Sequence, residues 1–106
     1  MARELTSRAT AHPPPPGAPL DVRAVYDAYG QFVWLTLQRL GVGRADLEDM
    51  CQEVFVIVHR RLDSYDPNAR LSAWLFGISV KVAAAYHRRA HRRREEATDV
   101  ASSALA

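Results

Sequence analysis

Residues 46–62 read DLEDMCQEVFVIVHRRL, and this stretch decides the fold. Its apolar residues recur at steps of three and four, which is the spacing of one face of an α-helix. They are Leu47, Met50, Cys51, Val54, Phe55, Val58 and Leu62. Acidic residues fall in the first turn, where negative charge is favourable beside the helix dipole. The stretch therefore predicts an amphipathic helix with a buried stripe and a polar outer face.

A second helical pattern precedes this segment. Its apolar stripe consists of Val22, Val25, Tyr26, Tyr29, Phe32, Val33, Leu37 and Leu40. Asp21 is a candidate N-cap, and Gly41 and Gly43 are stop signals.

A third helical pattern follows, with Ser72 as its candidate N-cap and an end near residue 94. Its stripe is Leu75, Ile78, Val82, Ala85 and Tyr86. The intervening residues 63–70 contain Asp66-Pro67, which disfavours helix. No alternating strand pattern appears. The fold class is all-α: a compact three-helix bundle with a long basic C-terminal helix.

The ends of the chain differ from this middle part. Residues 12–19 read HPPPPGAP, which favours polyproline II and forbids helix. We therefore expect a disordered proline-rich leader over 1–19, a helical domain over 20–94, and a flexible tail or the start of an interdomain linker over 95–106.

Composition excludes several classes of protein. A chain of 106 residues holds one domain. No apolar run reaches the roughly 18–20 residues of a membrane span, and no signal peptide is evident, so we expect a cytoplasmic protein. The single cysteine, Cys51, excludes an internal disulfide and a cysteine-based zinc site. No catalytic constellation, metal site or cofactor motif is present, so we expect no enzyme.

Two surfaces are candidates for binding. Five arginines fall within residues 88–94, and Arg88 and Arg92, like Arg89 and Arg93, stack one helical turn apart, as contacts to nucleic-acid phosphates require. The alternative is a solvated helix end, where basic residues suit the dipole. On the middle helix, the outer face is either a solvated surface or a docking surface. Its candidate residues are Asp49, Gln52, Glu53 and Val56.

The order of these features resembles a known family. The segment Asp46–Phe55, DLEDMCQEVF, resembles the AEDLVQEVF signature of extracytoplasmic function sigma factors, which are compact members of the sigma-70 family. Arg61–Pro67, RLDSYDP, and Ala69–Ile78, ARLSAWLFGI, resemble the family's RLDRFDP and ARFRAWLYRI stretches.

The resemblance implies region 2 of a sigma factor. That region binds the clamp helices of the largest subunit of core RNA polymerase, and it recognises and melts the promoter −10 element. It implies that Asp49, Gln52 and Glu53 face the polymerase, and that the loop from Ser64 to Leu71 takes up a flipped base of the non-template strand. The candidate DNA-binding residues are Tyr65, Asn68, Arg70, Ser72, Lys81, Arg88, Arg89, Arg92 and Arg93. An anti-sigma factor is an expected partner.

Alternatives remain open at several points. Tyr65 either stacks on a base or packs under the loop, and in the second case Asn68 is the better candidate for base contact. Val80-Lys81 stand where the family usually has Arg-Asn, and Leu71 stands where it has phenylalanine. The chain also ends where a linker to a domain reading the −35 element is expected. One rival is therefore a degenerate sigma-like protein that binds the clamp or an anti-sigma factor without reading DNA. A more distant rival is a helix that binds anionic membranes.

Overall fold

The computed structural model describes residues 20–105, so the predicted leader over 1–19 lies outside the described part of the chain. The described residues contain three α-helices and no strand. They are α1 (Val22–Arg39), α2 (Leu47–Arg61) and α3 (Leu71–Leu105), with short 3-10 turns at Arg44–Asp46 and Leu62–Ser64. The predicted all-α architecture, three helices of which the last is long and basic, is confirmed.

Local hydrogen bonds set both ends of α1. The Asp21 carboxylate accepts a bond from the Ala24 amide at 2.7 Å, so Asp21 is the predicted N-cap. At the other end, Gly41 has a φ of 88°, and the Val42 amide donates to the Leu37 carbonyl at 3.1 Å. This is a Schellman motif, in which a glycine takes the left-handed conformation that ends a helix. Val42 then enters the core, which directs the chain towards α2.

The predicted apolar stripes of the three helices form one core. Its buried members are Val25, Tyr29, Val33, Leu37, Val42, Leu47, Val54, Phe55, Val58, Leu71, Leu75, Ile78, Val82 and Ala83. Tyr26 was expected in the stripe of α1, but it is 45% exposed. It lies at the margin of the core, where its ring meets the edge of Phe55 at a centroid distance of 5.2 Å.

The loop between α2 and α3 contains one tight turn. The Ala69 amide donates to the Asp66 carbonyl, and the Asn68 amide donates to the Asp66 carboxylate, each at 2.9 Å. Pro67 supplies the fixed φ that the second position of such a turn requires. The loop is therefore held in one shape by its own backbone and by Asp66.

The start of α3 differs from the prediction. The helix begins at Leu71, and the Arg70 carbonyl accepts the bond from the Trp74 amide at 3.1 Å. Arg70 therefore occupies the cap position, and Ser72, predicted as N-cap, lies inside the first turn. The physical reason is burial: Leu71 is only 9% exposed, and its place in the core fixes the start of the helix.

The second half of α3 projects from the bundle. Every described side chain after Ala90 is exposed. The helix has 35 residues, about 52 Å at 1.5 Å per residue, in a molecule 65 Å long. It continues to Leu105, past the end predicted near residue 94, because the tail is rich in alanine and glutamate, which favour helix.

Candidate functional site

The outer face of α2 presents the four residues predicted to bind a partner. Asp49, Gln52, Glu53 and Val56 follow one another at steps of three, one and three residues, so they form one stripe along the helix. Asp49 and Gln52 are exposed, and Val56 is 47% exposed. Glu53 is only partly exposed. The result is an acidic surface with an accessible valine, a composition that suits a basic protein partner.

The basic residues of α3 fall on two faces. Lys81, Arg88 and Arg92 are seven and four residues apart, so they point in nearly the same direction, and all three are exposed. Arg89 and Arg93 form a second row, turned by about 100° from the first. The sequence predicted both rows, and the structure shows that they do not share a face.

A shallow groove lies between the two rows. It has a volume of about 350 Å³ and is lined by Arg89, Arg92, Arg93 and Glu96. A guanidinium group can form two parallel hydrogen bonds to phosphate oxygens, so these arginines are suited to contact with a phosphate. The Glu96 carboxylate at its edge opposes an anion there.

Arg89 also reaches α2, which the sequence analysis did not anticipate. Its Nη2 atom lies 3.7 Å from Glu53 Oε2 and 3.7 Å from Met50 Sδ. Arg89 stands seven residues after the buried Val82, so it continues the core-facing stripe of α3 beyond the core. That helical spacing was the signal available in the sequence.

A polar clasp ties the middle of α3 to the connection between α1 and α2. The Tyr86 hydroxyl donates to Asp46 Oδ2 at 2.8 Å and accepts from the Gly43 amide at 3.2 Å. One residue later, His87 Nε2 donates to the Leu40 carbonyl at 2.7 Å. The clasp fixes α3 relative to the start of α2, and hence the basic row relative to the acidic stripe. No local pattern in the sequence signals the clasp, because its members are 40 or more residues apart.

The loop residues predicted to read a base occupy different environments. Tyr65 packs against the core, with its ring 4.9 Å from that of Trp74, and its hydroxyl donates to the Ala69 carbonyl. Burial, and then the Asp66 charge, raise the pKa of Tyr65 above its usual value. This is the packing alternative left open by the sequence. Asn68 and Arg70 are exposed on the loop, whereas Ser72 is partly buried in α3.

An exposed apolar pair on α3 was also missed. Phe76 is 49% exposed and Val80 is 38% exposed, and they lie four residues apart on one face. A Cβ atom added to the neighbouring Gly77 would have no heavy atom within 4 Å. Phe76 does not belong to the predicted stripe of Leu75, Ile78 and Val82. This position outside the stripe was the signal in the sequence that its side chain is exposed.

Little in the described residues suggests bond-breaking chemistry. Burial raises the pKa of Cys51 to about 11, so its thiol is protonated at neutral pH and is a poor nucleophile. Within residues 20–105, no three histidine, cysteine, aspartate or glutamate side chains cluster as metal ligands. No helix in this part of the chain is long and apolar enough to cross a membrane.

Comparison with known proteins gives one finding. The family model Sigma-70 region 2 matches residues 25–104, which include most of α1, all of α2 and nearly all of α3. Neither a curated protein nor a solved structure gives a significant match. Region 2 of this family binds core RNA polymerase and the promoter −10 element, and the family is not one of enzymes. The chain belongs to the sigma-70 family and carries its region 2.

Proposed function

We propose that this chain acts as region 2 of an extracytoplasmic function sigma factor in the cytoplasm. It binds the clamp helices of the largest subunit of core RNA polymerase, recognises and melts the promoter −10 element, and catalyses no reaction. One observation carries the proposal: an acidic stripe on α2 and a basic row on α3 belong to one clasped body. Two partners of opposite charge can therefore bind at the same time.

The polymerase side rests on the stripe of α2. Asp49 and Gln52 are exposed and spaced for contact with one basic helix face, and Val56 adds apolar area. Charge complementarity of this kind speeds association and orients the partners.

The DNA side rests on α3 and on the loop before it. Lys81, Arg88 and Arg92 form a row that can follow a phosphate backbone, and Arg93 lies beside them on the groove. Since the Tyr65 ring and hydroxyl are engaged within the protein, Asn68 is the better candidate for contact with a flipped base. We assign Tyr65 to the support of this loop, and we keep Ser72, in the first turn of α3, as a candidate for DNA contact.

A second candidate is a sigma-like interaction protein that binds the clamp or an anti-sigma factor without reading DNA. The exposed Phe76 and Val80 favour it, because an apolar pair suits a protein partner better than a phosphate backbone. The two candidates share the polymerase side and differ on the DNA side.

The polymerase side is tested by pull-down of core RNA polymerase with the full chain. Replacing both Asp49 and Gln52 by alanine should abolish capture while leaving the helical circular dichroism unchanged. Asp99→Ala, at an exposed position on the projecting part of α3, is the matched control and should still capture polymerase. Undiminished capture by the double variant would show that the stripe is not the docking surface.

The DNA side is tested by the salt dependence of binding to duplex DNA. Each neutralised phosphate contributes about −0.9 to the slope of log K against log salt. Replacing Arg88 and Arg92 by glutamine should therefore flatten the slope by about 1.8. An unchanged slope would favour the second candidate, in which these arginines only solvate the helix.

A further inference from the structure

Glu53, a candidate for binding the polymerase, and Arg89, a candidate for binding DNA, contact each other. Their Oε2 and Nη2 atoms are 3.7 Å apart, and the two side chains are 44% and 43% exposed. The same Nη2 atom lies 3.7 Å from Met50 Sδ. The guanidinium therefore lies along α2 instead of extending into solvent beside Arg88.

One oxygen of the Glu53 carboxylate lacks a hydrogen-bond donor among the described residues. Although the side chain is almost half exposed, its Oε2 atom is shielded from solvent, and within residues 20–105 no donor makes a hydrogen bond to it. A desolvated carboxylate oxygen gains from any closer cation. Arg89 supplies charge at 3.7 Å, which is longer than the 2.7–2.9 Å of a strong charged hydrogen bond. Each member of the pair can therefore gain by exchanging the other for a better partner.

We propose that the Glu53–Arg89 pair couples the two binding faces. A basic group of the polymerase that takes Glu53 releases Arg89 to a phosphate, and a phosphate that takes Arg89 releases Glu53 to the polymerase. This inference rests on the proposed function. Because such coupling is reciprocal, each partner raises the affinity of the other by the same factor. An exposed ion pair of this kind corresponds to a factor of about two to five.

The first test measures binding of the full chain to duplex DNA, without polymerase, at about 0.1 M salt. Glu53→Gln should raise the affinity about two- to fivefold, because Arg89 is no longer held on α2. Glu48→Gln removes the same charge from the same helix and should give a smaller gain, because its charge does not hold Arg89. In an Arg89→Gln background, Glu53→Gln should give no more than the small gain that Glu48→Gln gives.

The second test measures the reverse effect on core RNA polymerase. Arg89→Gln should raise the affinity of the chain for polymerase by the same factor, since Glu53 is then free to bind. Arg94→Gln, which removes the same charge from the same helix, is the matched control and should give a smaller gain, because Arg94 does not contact Glu53.

The outcomes separate the coupling from the proposed function. A gain from Glu53→Gln that is undiminished without Arg89, or an equal gain from Glu48→Gln, would overturn the coupling. If the Arg88 and Arg92 replacements flatten the salt slope while Glu53→Gln and Arg89→Gln change neither affinity, the coupling alone is wrong. If those arginine replacements leave the slope unchanged, the DNA side of the proposed function is wrong, and the coupling fails with it.

Discussion

Tyr86→Phe tests whether the clasp holds α3 to the rest of the bundle. The substitution removes only the hydroxyl, because phenylalanine retains the ring and its edge contact with His87 at a centroid distance of 5.2 Å. Two hydrogen bonds are lost. One goes to the carboxylate of Asp46 at 2.8 Å, and the other comes from the Gly43 amide at 3.2 Å.

The magnitude follows from the chemistry and exposure of these bonds. A hydrogen bond to a charged group contributes about 1.5–3 kcal/mol, and a neutral bond contributes about 0.5–1.5 kcal/mol. Gly43 is exposed and Asp46 is partly exposed, so water can replace part of both bonds. The lower values apply, and we expect the free energy of unfolding to fall by about 2 kcal/mol.

The assay is urea unfolding followed by the fluorescence of Trp34 and Trp74, which both pack against the core. For a small domain, urea slopes of about 1–2 kcal/mol per molar turn this loss into a midpoint lower by about 1–2 M. Tyr26→Phe is the matched control, since it removes the same atom from a side chain that is 45% exposed. A midpoint for Tyr86→Phe equal to that of the wild type, or an equal shift for Tyr26→Phe, would refute the clasp.

Four further predictions concern local features of the bundle. Gly41→Ala should lower stability by about 1–2 kcal/mol, because Gly41 has a φ of 88° and its Cβ would lie 3.3 Å from the His87 ring. Gly77→Ala, in open helix, should raise stability by about 0.5–1 kcal/mol, and equal urea midpoints for the two variants would contradict this account. Asp21→Ala should lower the free energy of unfolding by about 1 kcal/mol through loss of the N-cap, and an unchanged midpoint would contradict that role. Alkylation of Cys51 at pH 8 should be far slower in the folded chain than in urea, since its pKa is raised from 9.0 to about 11. Equal alkylation rates in the folded chain and in urea would contradict the burial of the thiol. The raised pKa of Cys51 also contributes to the free energy of unfolding, and this contribution is complete below about pH 9 and is lost between pH 9 and 11.

Features set by local bonds could be predicted from the sequence. Asp21 caps α1 through a bond to a residue three positions away, and Gly41 ends the helix through its own φ. Both depend on short-range geometry that the residue type determines. The apolar stripes were equally readable, because helical spacing alone places them on one face.

Features set by packing could not be predicted in the same way. Ser72 has the right chemistry for an N-cap, but the burial of Leu71 starts α3 two residues earlier than that cap predicts. The contact of Arg89 with Glu53 depends on how α2 and α3 pack, which no local pattern specifies. The outer stripe of α2 was predictable as a surface, and its partner remains a proposal.

Photo-crosslinking from the α2 stripe tests the central claim most directly. A photoreactive phenylalanine analogue placed at the exposed Gln52 should crosslink to the largest subunit of core RNA polymerase in the assembled complex. The same analogue at Arg23, an exposed position on α1, is the control and should give little crosslink. Crosslinking of the largest subunit from position 52 and not from position 23 is the predicted result. A crosslink from position 23 with none from position 52 would contradict the claim that α2 docks on the polymerase.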